Sequence, residues 1–147
     1  MNLFLVPAAD ADRAWLDKLR RDAYRDLFDA TWGAWDEARH IRHFEASIDQ
    51  GNISIIRVDG RPVGMLQLHE HQDAVEVGEI QIRPEAQNQG IGTAVLNDIV
   101  GSARAQGRAV RLSTGVKNER ALRLYLRLGF RIAQTSDTHV HMLLAGA

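Results

Sequence analysis

The sequence predicts a mixed α/β fold, with about seven strands in one central sheet flanked by about four helices. Three observations predict it. Ile80 and Ile82 alternate with polar neighbours up to Pro84, and after Gly90 and Gly92 the apolar spacing widens to Val95, Leu96, Ile99, Val100 and Ala103. A strand therefore feeds a glycine-bearing loop that opens straight into a helix. Asp59-Gly60 lies between two extended runs, and a two-residue hairpin turn needs positive φ at both positions. Asn118 to Gly129 carries helical apolar spacing, a capping residue at its start and a glycine at its stop.

The remaining elements follow in order. Leu3 to Val6 is a short apolar strand closed by Pro7. Asp10 or Asp12 is placed to cap a first helix, whose apolar face is Trp15, Leu16, Leu19, Ala23 and Leu27 and which ends near Asp29. Thr31 to Trp35 forms a connection. Asp36 caps a second helix with the stripe Ile41, Phe44 and Ile48, stopped by Gly51. Three strands of a meander span Asn52 to Val58, Arg61 to Glu70 and Ala74 to Arg83. The glycine-loop helix ends at Gly107, and Ala109 to Ser113 is a strand. In the helix after Asn118, Ala121, Leu122, Tyr125, Leu126 and Leu128 are expected inside. Phe130 to Gln134 and Val140 to Leu144 make a last hairpin. The order is β-α-α-β-β-β-α-β-α-β-β.

At 147 residues, 45% hydrophobic and 25% charged, the chain is expected to be one domain, 1–147, with a real core. Its net charge of −1 gives no global basic field, which argues against nucleic acid as a partner. Cysteine is absent, which excludes disulfides, thiolate metal sites and cysteine nucleophiles and fits a cytoplasmic setting. No basic segment leads an apolar run at the N-terminus, and no apolar run approaches ~18 residues, so neither a signal peptide nor a membrane partner is expected.

The glycine loop has a chemical use. The first N–H groups of a helix lack internal partners and carry the positive end of its dipole. Glycines let an anion approach them. A Walker loop is excluded, because no Lys-Ser or Lys-Thr follows Gly92. A dinucleotide fingerprint is excluded by Val95, where a small residue would be needed. In the second segment, Asn118 and Tyr125 are seven apart and share a helix face, with the small Ala121 between them. Such a face is either an ordinary capped, amphipathic helix or a groove with an amide at one end and a phenol at the other.

Gln87-x-x-Gly90-x-Gly92 resembles the acyl-CoA loop of the GNAT superfamily of N-acetyltransferases. Asn118-x-x-Ala121-x-x-x-Tyr125-x-x-x-Gly129-Phe130 is similar to a second motif of that family, at the expected distance. The likeness covers nearly the whole chain and is loose before about residue 50. It implies the GNAT fold and an acetyl-CoA-dependent acyltransferase, with acetyl-CoA as co-substrate and no metal. It also implies roles. Main-chain groups at Ile80 and Ile82 would pair with the pantetheine arm. Gln87, Asn88, Gln89, Gly90, Gly92 and Thr93 would form the pyrophosphate loop. Asn118 would contact pantetheine, and Tyr125 would protonate the leaving thiolate.

Amine acetylation needs a neutral amine, and an alkyl ammonium holds its proton to about pH 10. Glu79 and Glu76 are three apart on one strand and face opposite sides; Glu79, nearer the loop, is the first candidate base and Glu76 the second. Leu112-Ser113-Thr114 lacks the Glu that some GNAT proteins carry there. An N–H near Ile82 would bind the oxyanion. Trp32 and Trp35 border the amine pocket if the likeness holds there, or else anchor the first helix. The pairs His40/His43, His69/His71 and His139/His141 have no third ligand nearby in sequence, so no metal is expected. The expected acceptor is a primary amine on a small molecule or peptide, attacked directly in a ternary complex. The alternatives are a protein Lys or N-terminal acetyltransferase and a CoA-binding sensor. A homodimer is left open.

Overall fold

A computed structural model describes residues 2–146, apart from the side chains of Asp26, Thr31 and Trp32. The strands are β1 (Leu3–Pro7), β2 (Ile53–Val58), β3 (Arg61–Glu70), β4 (Ala74–Ile82), β5 (Ala109–Gly115), β6 (Arg131–Thr135) and β7 (His139–Leu144). The helices are α1 (Arg13–Trp32), α2 (Glu37–Gln50), α3 (Ile91–Ala105) and α4 (Glu119–Arg127), with single 3-10 turns at Asp10–Asp12 and Pro84–Ala86. The element order is the one the periodicities predict. Among the described residues the sheet has seven strands, in the order β1-β2-β3-β4-β5-β7-β6. β4 and β5 run parallel, while β1–β2, β2–β3, β5–β7 and β6–β7 are antiparallel, so the sheet is mixed. The chain divides into two compact units, Met1–Gln67 with Glu79–Gln89, and Leu68–Gly78 with Gly90–Ala147.

In the first unit, Leu16, Leu19, Phe44, Ile55 and Met65 form a core against which Ala8, Trp15, Ile48 and Ile53 pack. α1 is longer than expected. It passes Asp29 and ends at Gly33, whose φ of 85° lets its N–H bond the Asp29 carbonyl at 2.8 Å. Thr31 and Trp32 therefore belong to the helix rather than to a connection. Asp12 stands at the N-cap of α1, but its carboxylate makes no bond to that helix and accepts the Ala9 N–H of the preceding 3-10 turn at 2.8 Å. α2 is capped by Asp36, which accepts the Arg39 N–H at 3.0 Å. Its buried stripe is His40, Phe44 and Ser47, and Ile41 is 44% exposed. Packing has turned the helix toward two polar side chains that have partners inside. Asp59 and Gly60 take φ of 52° and 83°, as the β2–β3 hairpin requires. Gly64 on β3 lies so near β4 that a Cβ there would overlap the Gln81 carbonyl oxygen.

In the second unit, α3 buries Ile91, Val95, Leu96, Ile99 and Ala103. Val110 and Leu112 of β5 and Val140, Met142 and Leu144 of β7 are also buried. The parallel register of β4 with β5 runs from Ala74↔Ala109 to Val77↔Leu112. β5 goes on with β7 to Gly115↔His139. α4 closes in a Schellman motif: Gly129 (φ 101°) donates to the Leu126 carbonyl at 3.1 Å and Phe130 to the Tyr125 carbonyl at 3.0 Å. Leu126 is half exposed instead of buried, because Tyr125 takes the inward position on the last turn.

Candidate active site

The glycine loop is built by backbone devices. Pro84 opens a 3-10 turn, in which Ala86 donates to the Arg83 carbonyl at 2.9 Å. The Gln87 amide then ties the loop back to the strand end, donating to the Ile82 carbonyl at 3.0 Å. Asn88 and Gly90 both take left-handed backbone, at φ 64° and 80°. Alternation of this kind turns successive N–H groups toward one side. Gln89 donates from its amide to the Glu85 carbonyl at 3.4 Å and is exposed.

α3 starts with no side-chain cap, and its first internal bond is Ala94 N–H to the Gly90 carbonyl at 3.0 Å. The N–H groups of Ile91, Gly92 and Thr93 thus precede the helical ladder. Gly90 is required by its φ. Gly92 is not required by the fold: a Cβ there would make only an ordinary contact with Leu124, at 3.8 Å. The space beside Gly92 is open apart from Leu124, and a side chain would enter it.

α4 carries the second motif. The Asn118 carboxamide oxygen accepts the Ala121 N–H at 3.2 Å, so Asn118 is the helix cap. Tyr125 is 6% exposed, with its ring 5.9 Å from that of Phe130. Gly129 makes this pair, since its left-handed turn folds Phe130 back over Tyr125.

Glu79 stands in a polar network within the first unit. One carboxylate oxygen receives Arg20, a guanidinium on α1 that is itself 8% exposed. The other receives Ser47 Oγ at 3.2 Å and Gln81 Nε2 at 3.3 Å. Ser47 Oγ also lies 3.3 Å from Gln67 Oε1, so one hydroxyl proton serves two acceptors. Gln67 donates to the Ser47 and Gly51 carbonyls, both at 2.9 Å, and so closes the end of α2. Tyr24 hydrogen-bonds Gln81, and Arg20 lies 5.4 Å from its ring. Burial, then the Glu79 charge, push the Tyr24 phenol up to about 12, which keeps it protonated. Arg20, Tyr24, Ser47, Gln67 and Gln81 escaped the sequence reading. Their signal was polar chemistry at positions in phase with Leu16, Phe44, Met65 or Val77.

The other candidates are placed as follows. Glu76 belongs to the second unit, 3.0 Å from His71 and 3.7 Å from Arg111. The His71 bond, outweighing burial, holds its carboxyl below the usual range. Ile80 and Ile82 are partly buried near the end of β4. Trp35 is part of an aromatic cluster, tilted 5.0 Å from Phe28 and 5.2 Å from His40, and its indole N–H donates to Glu37 at 3.0 Å. This packing ties it to the helices. Trp32 ends α1, and its side chain lies outside the described residues. Among the described residues no three His, Asp or Glu are grouped to hold a metal ion, and no helix is long and apolar enough to cross a membrane.

Comparison with known proteins bears on this geometry. An uncharacterized N-acetyltransferase of Methanocaldococcus jannaschii is 34% identical over 90 residues, which are 56% of this chain and 40% of that protein. The chain thus spans less than half of that relative. The PaiA N-acetyltransferase of Thermoplasma acidophilum, solved in complex with coenzyme A, superposes with a TM-score of 0.75 at 16% identity, covering 99% of each chain. A Salmonella typhimurium chain solved with acetyl-CoA as its cofactor gives 0.64 at 18% identity, covering 100% of this chain and 95% of that one. These superpositions show the shared fold. The sequence profile of the acetyltransferase (GNAT) family matches residues 16–130, which include the glycine loop, the Glu79 strand and the Asn118–Tyr125 helix, and the chain belongs to that family.

Proposed function

We propose that the protein transfers the acetyl group of acetyl-CoA to a primary amine of a small molecule or peptide, by direct attack in a ternary complex. The observation that carries the proposal is the start of α3. It has a left-handed Gly90, no side-chain cap and a Gly92 that the fold itself does not need. N–H groups from Asn88 to Thr93 hold the pyrophosphate there. The main chain at Ile80 and Ile82 takes the pantetheine arm as a further strand, and an N–H near Ile82 binds the oxyanion. Gln87 serves by holding the loop on the strand end. Asn118 fixes the start of α4 and contacts the arm, and the Tyr125 phenol gives its proton to the departing sulfur. Glu79 has both oxygens occupied by donors and keeps room for one more N–H, that of the acceptor.

The test is a panel of amines incubated with acetyl-CoA, reading free thiol and product mass together. One acetylated amine per thiol released is expected for at least one panel member. Tyr125→Phe is expected to keep CoA binding and lose about 100-fold in kcat. Thiol release that is the same with every amine as with none overturns the proposal in favour of a CoA-binding sensor.

A further inference from the structure

We propose that His43 of α2 is the group that takes the proton from the acceptor amine. The inference rests on the acyltransferase reading above and concerns a residue outside both family motifs. Glu79, the strand carboxylate expected to be the base, is poorly set for that work. It faces a guanidinium and two further donors. Protonating Glu79 would leave the buried Arg20 cation without its anion.

His43 has what Glu79 lacks. It lies one turn before Ser47 on α2, and residues four apart share a helix face. Ser47 touches Glu79 at 3.2 Å, so His43 stands on the same face at the solvent side of the network. Its side chain is exposed, so an acceptor can reach it. The charges that face it are Arg20 from α1, Arg39 and Arg42 from its own helix, and Glu79 from β4. Partial burial and then the three arginines hold the imidazole below its ordinary range, against the pull of Glu79. It is thus a neutral acceptor at neutral pH.

The step balances. The acceptor enters as an ammonium, with one N–H on the free lone pair of Glu79, and gives a proton to the His43 ring nitrogen. The freed nitrogen lone pair attacks the thioester carbonyl carbon. The C–N bond forms, the C–S bond breaks, and the nitrogen loses a second proton to water as the amide forms, which replaces the proton that Tyr125 gives up. Tyr125 protonates the thiolate and is itself reprotonated. His43 returns its proton to solvent, so each turnover releases one net proton.

The experiment compares pH profiles of kcat/KM for wild type, His43→Gln and Glu79→Gln, using an amine found in the panel. The wild type is expected to show an acid limb with a pKa below the usual imidazole value. His43→Gln should lose that limb and about 100-fold in kcat at pH 7, with the KM for acetyl-CoA within twofold and part of the rate restored by added imidazole. Glu79→Gln should raise the KM for the amine and keep the limb. An NMR titration of the His43 ring protons should give the same low pKa. An unchanged profile in His43→Gln, a limb lost in Glu79→Gln alone, or a His43 that titrates in the ordinary range overturns the proton assignment and leaves the acyltransferase reading standing. A wild type that acetylates no amine overturns both.

Discussion

Asp17 shows how much one side chain of this protein holds. It accepts from His40 Nε2 at 2.6 Å and from Arg21 Nε at 2.9 Å, and Arg21 continues to Glu37. His40 is 1% exposed, stacked on Phe44 and tilted against Trp35. Burial alone would raise the Asp17 pKa, and the His40 and Arg21 hydrogen bonds outweigh it, so its carboxyl sits below the usual range. A depressed folded-state pKa means stability that is present above the unfolded value, about 3.9, and lost as pH falls through the folded one. Urea melts are therefore expected to weaken from pH 6 to pH 3. Asp17→Asn should cost about 1–3 kcal/mol at pH 7 and flatten that acid slope, because the charged acceptor of His40 Nε2 and Arg21 Nε becomes a neutral amide. An unchanged slope in the variant would show that Asp17 is not the group that titrates. Gly64 sets a second expectation at this scale. A methyl in the place of its hydrogen meets the Gln81 carbonyl, which is backbone and has little freedom to retreat. Gly64→Ala should cost about 1–3 kcal/mol in the same melts.

Helix ends decide how the elements are cut. Gly129 stops α4 with φ 101° and sends Phe130 onto Tyr125, so Gly129→Ala should cost about 1–2 kcal/mol and lower activity by loosening the phenol. Thermal melts beside CoA-dependent turnover separate the two effects, and a variant of wild-type stability would show that this turn is not needed. Ends marked by Asp36, Gly51, Asn118 and Gly129 could be read directly from the residues, since caps are local chemistry. The end of α1 could not, because Thr31 and Trp32 carry no stop signal and the helix runs on until Gly33. On α2, Phe44 and Ile48 pack inward as their spacing predicts, and only Ile41 departs from the stripe. Ile41 looks like core by type, yet His40 and Ser47 go inside because Asp17, Gln67 and Glu79 wait there for them.

Across the whole molecule the alternation of strand and helix patterns was enough to predict seven strands in a mixed sheet and four α-helices. Periodicity reports burial, and burial builds the sheet. The glycine loop was legible too, because φ 80° at Gly90 has a residue type that announces it. The polar network was not. Arg20, Ser47, Gln67 and Gln81 come from four elements, and no local pattern tells a charged residue that has lost its solvent from one that meets a partner. Central to the account is the grip of the α3 start on coenzyme A, which calorimetric titration of CoA into wild type and Gly92→Val tests most directly. Wild type should bind. The variant, whose added Cβ meets only Leu124 in the ligand-free fold, should melt within a few degrees of wild type. Its CoA affinity should fall at least about tenfold, near 1.4 kcal/mol. Equal affinity in the two proteins would contradict the account.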